Sequence, residues 1–128
     1  MTELSAPALE TPVRILVVND EPATLQLIEQ FLDGPRFQLT RAIDAEEGLR
    51  QFLAGAFDVV ISDRDTPATA AAQLAFEIKR HAPTVPIILL TTRDAAVPFD
   101  TTPFDAFLPK PFTRTQLVAT VDDVWPGA

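Results

Sequence analysis

The chain has 128 residues (14.0 kDa), of which 47% are hydrophobic, and a formal net charge of −8. That length and apolar content suit one domain with its own core, no apolar run approaches the roughly 18 residues of a membrane span, and an N-terminus carrying Glu3 and Glu10 lacks the basic and apolar segments of a signal peptide. The absence of cysteine excludes disulfides and thiolate metal sites and fits a reducing, cytoplasmic compartment, while the acidic balance opposes a nucleic-acid surface and favours a protein or a cation as partner.

Met1 to Pro12 is polar and without period, which predicts a flexible tail over 1–12 ahead of a single domain over 13–126. Arg14-Ile15-Leu16-Val17-Val18 is an apolar run that stops at Asn19-Asp20-Glu21-Pro22, a buried strand feeding a helix with proline near its first position. Leu25, Ile28, Phe31 and Leu32 give that helix one apolar face, and Asp33-Gly34-Pro35 ends it. Phe37 to Ala42 reads as a second strand. Asp44 then caps a helix with Ala45, Leu49, Phe52 and Leu53 on one face and Gly55 at its end.

Asp58-Val59-Val60-Ile61-Ser62-Asp63 is a third apolar strand that delivers Asp63 to the rim of a sheet. Ala70 to Arg80 reads as a helix with Ala71, Leu74 and Ile78 inward, and Ile87 to Leu90 as a fourth strand ending at Thr91-Thr92. Arg93 to Thr102 holds Pro98 and few apolar periods, so a helix there is short or irregular. Phe104 to Leu108 is a fifth strand leading into Pro109-Lys110-Pro111-Phe112, after which Thr113 or Thr115 caps a helix with Leu117, Val121 and Val124 on one side.

Strands alternating with helices predict an α/β fold, a doubly wound five-stranded parallel sheet with helices on both faces. Four strands then end at Asp20, Asp63, Thr91 and Lys110, and right-handed crossovers put all four ends on one edge. Two neighbouring carboxylates suit a hard cation such as Mg²⁺. An ammonium and a hydroxyl beside them suit a phosphoryl group. Together they describe phosphoryl transfer onto or off an aspartate.

Over Arg14 to Trp125 the chain resembles the receiver domains of two-component response regulators, whose fold is flavodoxin-like. Ile15 to Pro22 resembles the family's first-strand acid cluster, Asp58 to Pro67 its phosphoacceptor strand, Pro86 to Thr92 its switch-threonine strand, and Phe107 to Phe112 its Lys-Pro-Phe motif. The resemblance implies that Asp63 accepts a phosphoryl group from a histidine kinase or a histidine phosphotransfer protein. It implies Mg²⁺ (or Mn²⁺) held by Asp20, Asp63 and the backbone carbonyl of Asp65, with Asn19 in the outer shell. Thr91 and Lys110 would bind the phosphoryl oxygens, Thr91 and Phe107 would switch a protein-interaction face, and the Lys110–Pro111 bond would be cis. It also implies a monomer or weak dimer, free-standing or part of a longer protein.

The chain departs from the pattern in several places. Asn19 stands where the family usually has an acid, which weakens attraction for Mg²⁺. Asp65 and Arg93 occupy positions that tune phosphoryl lifetime in relatives. A glycine-containing loop is replaced by Ala68-Thr69-Ala70-Ala71-Ala72, and the stretch from Thr91 to Lys110 is about one helical turn short. Taken singly, Asn19, Asp44 and Thr113 read as helix caps, His81 as a helix-end charge, and Phe112 and Trp125 as packing residues.

Two other classes compete. Asp63-Arg64-Asp65 resembles the Asp-x-Asp opening of haloacid-dehalogenase-type phosphatases, although Pro67 and the upstream position of the companion acids fit that family poorly. A degenerate receiver acting as a phosphorylation-independent interaction module is favoured by Asn19 and opposed by the retained Asp20, Asp63, Thr91 and Lys110. Slow phosphorylation and dephosphorylation of its own aspartate, without enzymatic turnover, is the expected activity.

Overall fold

The computed structural model describes residues 12–63, 68–92 and 102–125. Its elements are β1 (Val13–Val18), α1 (Pro22–Phe31), β2 (Phe37–Ala42), α2 (Ala45–Ala54), β3 (Val59–Asp63), α3 (Ala68–His81), β4 (Ile87–Thr92), β5 (Ala106–Lys110) and α4 (Arg114–Val124). The strands form one sheet in the order β2-β1-β3-β4-β5, and every pairing is parallel. All carboxyl ends therefore share one edge, as the α/β pattern predicts.

The apolar runs are continuous because helices cover both faces of the sheet. Ile15, Val17, Ile61, Ile88, Leu90 and Leu108 pack against Leu25 and Ile28 of α1 and Leu117 and Val121 of α4. Their neighbours Leu16, Val18, Val60, Ile87 and Leu89 face the other way, onto Phe52 of α2 and Leu74, Ala75 and Ile78 of α3. Each fully buried aliphatic side chain contributes roughly 1.5–3 kcal/mol, so these two layers fix strand order and pleat together.

Local signals are obeyed at several boundaries. Pro22 opens α1, and Gly34 takes a φ of 117° in the turn that follows it. Asp44 Oδ1 accepts the Glu47 amide at 2.8 Å. Thr113, not Thr115, caps α4 through a reciprocal box with Gln116. Phe112 is buried with its ring edge-on to Phe31, and Trp125 packs at the margin of the same core.

Three expectations are corrected. Leu53 does not share the buried face of α2; it is 53% exposed, and Gly48 takes the inward place. A Cβ on Gly48 would stand 2.9 Å from Val18 Cγ2, so only glycine lets α2 lie this close to β1. The fifth strand is Ala106–Lys110, two residues later than Phe104 to Leu108. Asp105 is drawn out of the strand: its carboxylate accepts the Ile87 amide, while its own amide donates to the Ile87 carbonyl. Phe104 still packs inward from the preceding turn, and β5 tolerates Pro109 because it is an edge strand. The helix α3 also runs further than Ala70 to Arg80 at both ends. The short or irregular helix expected between β4 and β5, and the tail over 1–11, lie outside the described residues.

Candidate functional site

The carboxyl edge of the sheet carries the polar exceptions of an otherwise apolar core. Asn19, Ser62, Asp63 and Thr91 are the buried polar residues described, and all four sit at the ends of β1, β3 and β4. Asp63 is the last residue of β3, directly beside Leu90 of β4. Among the described residues, its Oδ2 accepts hydrogen bonds from Asn19 Nδ2 at 2.9 Å and from Lys110 Nζ at 2.8 Å. Lys110 arrives from the end of β5, and the Lys110–Pro111 peptide is cis. A buried carboxylate is costly without such donors, which explains why both converge on it.

Asn19 is turned toward the site by its own backbone. Its Oδ1 accepts the Glu21 amide at 2.7 Å, an Asx turn at the entry to α1, leaving Nδ2 aimed at Asp63. Asn19 is therefore not the cap of α1; Glu21 occupies that position and makes no side-chain cap bond. A depression of about 460 Å³ opens over this cluster, lined by Asn19, Asp20, Glu21, Pro22, Asp63 and Lys110. Asp20 lies exposed on its wall.

Thr91 is buried one residue past Leu90 and pairs with Pro109. Strand alternation puts its side chain on the Leu89 face, opposite that of Asp63. Phe107 is 46% exposed on β5, with its ring 6.3 Å from that of Phe104. The structure thus brings Asn19, Asp20, Asp63 and Lys110 around one depression, with Thr91 on the neighbouring strand end and Phe107 further out. Asp65 and Arg93 lie outside the described residues. The direct bond from Asn19 to Asp63, and the part of Glu21 in aiming it, were missed in the sequence. The signal for the second was an asparagine two residues before the N-cap of a proline-opened helix.

A family model for the response regulator receiver domain matches residues 15–122. The chain belongs to the response regulator receiver domain family. It is a receiver domain of two-component signalling, a family that is not a conventional enzyme class, that typically binds Mg²⁺ and that works with histidine kinases. The match sets aside the phosphatase reading. The transcriptional regulatory protein GlrR of Escherichia coli is 31% identical over 115 residues, 88% of this chain and 26% of its own length. A Haloferax volcanii protein is 29% identical over 86% of this chain and 19% of its own length. The chain thus spans about a fifth to a quarter of these curated relatives. The structure of the response regulator TrrA of Thermotoga maritima, in complex with Mg²⁺-BeF, aligns with a TM-score of 0.78 and 30% identity, over 87% of this chain and 97% of that one.

The donors described here suit a hard cation. Asp20 and Asp63 present carboxylate oxygens to one depression, the oxygen chemistry that Mg²⁺ prefers, and no sulfur or imidazole competes among its described lining residues. Two protein carboxylates plus water are a usual complement for Mg²⁺, which keeps several waters. Asn19 turns its nitrogen, not its oxygen, toward Asp63 and so contributes hydrogen bonding there rather than a ligand oxygen.

Proposed function

We propose that this receiver accepts a phosphoryl group on Asp63 from a histidine kinase or histidine phosphotransfer protein, and that the phosphorylated form changes a protein-interaction face. The observation that carries the reading is the buried Asp63 carboxylate, held at a strand end by Lys110 Nζ at 2.8 Å and facing an open depression with Asp20 on its wall. An oxygen of Asp63 attacks the donor phosphorus. The carbonyl C–O–P link of an acyl phosphate forms as the donor's P–N bond breaks, and the electron pair leaves on the imidazole nitrogen. Lys110 offers its ammonium to the charge gathering on the phosphoryl oxygens. Thr91 moves from its present face to donate its hydroxyl to them, and Phe107 turns in response, biasing a pre-existing pair of conformations. Asp20, Asp63 and the Asp65 carbonyl would hold Mg²⁺, which would supply charge neutralisation at the phosphoryl oxygens. Asp65 and Arg93 tune how long the group lasts.

The net charge of −8 supports a protein rather than a nucleic acid as the output partner. No described helix is long and apolar enough to cross a membrane, and we place the domain in the cytoplasm as a monomer or weak dimer. The neutral amide on Asp63 supports a second reading, a receiver that serves as an interaction module without phosphate. Intact mass after incubation with acetyl phosphate, with and without Mg²⁺, decides between them. A Mg²⁺-dependent gain of one phosphoryl group that is absent in Asp63→Asn is the expected result. No gain under conditions that label another receiver would leave the interaction module.

A further inference from the structure

We infer that Asn19 is a neutral latch on Asp63 that competes with the divalent cation for the same carboxylate oxygen. This rests on the reading of Asp20 and Asp63 as the cation site. Asn19 is fully buried, and both ends of its amide are engaged: Oδ1 by the Glu21 amide at 2.7 Å and Nδ2 by Asp63 Oδ2 at 2.9 Å. Lys110 Nζ donates to that same Oδ2 at 2.8 Å. A carboxylate oxygen offers about two lone-pair directions, so two donors fill it. A cation that takes Oδ2 must displace one of them. Lys110 brings a full charge and Asn19 only a dipole, so the amide is the weaker holder and is the one that yields.

The latch predicts a result opposite to that of simple charge loss. An asparagine that merely lacks a negative charge is equivalent to any other neutral residue at 19. A latch raises the cation's dissociation constant, so removing it without adding charge tightens binding. Asn19→Ser is the informative variant. Its hydroxyl can still accept the Glu21 amide as an ST turn, but it lacks the reach and the amide donor for Asp63.

Isothermal titration of MgCl₂ into EDTA-treated, dialysed protein reads the effect. Asn19→Ser should bind Mg²⁺ about tenfold more tightly than the wild type (about 1.4 kcal/mol) and melt lower in EDTA, where Asp63 has lost a donor. Equal or weaker binding in Asn19→Ser, with binding lost in Asp20→Asn, overturns the latch and leaves the cation site standing. Binding that survives both Asp20→Asn and Asp63→Asn, or no binding in any form including Asn19→Asp, overturns the cation site and the latch with it. Should Asn19→Ser fail to fold, the wild-type side-chain amide resonances of Asn19 serve instead. They should shift as Mg²⁺ saturates, and amide resonances unmoved at saturation refute the latch.

Discussion

The chain has only two lysines, and each donates to an aspartate at 2.8 Å. Lys79, on α3, reaches Asp105 at the amino end of the sheet; Lys110, at the end of β5, reaches Asp63 at the carboxyl end. The lysines are alike, with side chains 21% and 23% exposed, but the Asp105 side chain is 40% exposed and that of Asp63 only 4%. Their other partners differ as well. Lys79 also donates to the Val85 carbonyl and Asp105 also accepts the Ile87 amide, so that pair clamps the start of β4 to α3 and to the approach of β5. Asp63 is supported by Asn19 and faces a depression, so its pair holds a buried carboxylate at the edge of an open volume. Distance and residue type are the same in both. What separates the fastener from the proposed phosphoacceptor is the burial of the acid and the open volume in front of it.

Breaking each pair from the lysine side gives the sharpest contrast. Lys110→Met should slow labelling of Asp63 by acetyl phosphate by about 100-fold, as for loss of one oriented donor to developing charge. It should also destabilise the fold by about 2–3 kcal/mol, since a buried carboxylate loses its cation. Intact-mass time courses and urea unfolding check the two parts. Gly48→Ala serves as a reference that disturbs the core and neither pair. The stiff Val18 side chain must give way to the new Cβ, which should cost about 1–3 kcal/mol in urea unfolding. Lys79→Met should cost about 1 kcal/mol and leave the labelling rate at Asp63 unchanged. A drop in labelling there would mean that the two ends of the sheet are coupled.

The smallest effect tests the neighbour of the proposed acceptor. Ser62 Oγ is buried with no hydrogen-bond partner among the described residues. Ser62→Ala should therefore raise stability by up to about 1 kcal/mol in thermal melts without slowing labelling. A loss of stability would show that the hydroxyl is satisfied in solution.

Sequence alone determined the architecture and which polar residues end the strands on one edge of the sheet. Apolar runs ended by Asp20, Asp63, Thr91 and Lys110 could be placed on one edge because a sheet buried on both faces leaves only its ends for polar groups. Asp44 and Thr113 were readable as caps because capping depends on residues three positions away. What Asn19 does was not readable. A capping bond, an Asx turn and a reach across to the next strand are all open to an asparagine after β1, and the third needs Asp63, 44 residues further on. The start of β5 was equally out of reach, because Asp105 answers to Lys79 and Ile87 rather than to its neighbours in the chain. Tertiary structure decided these points for one physical reason. A polar side chain takes the partner that leaves the fewest buried groups unsatisfied, and distant strands supply that partner.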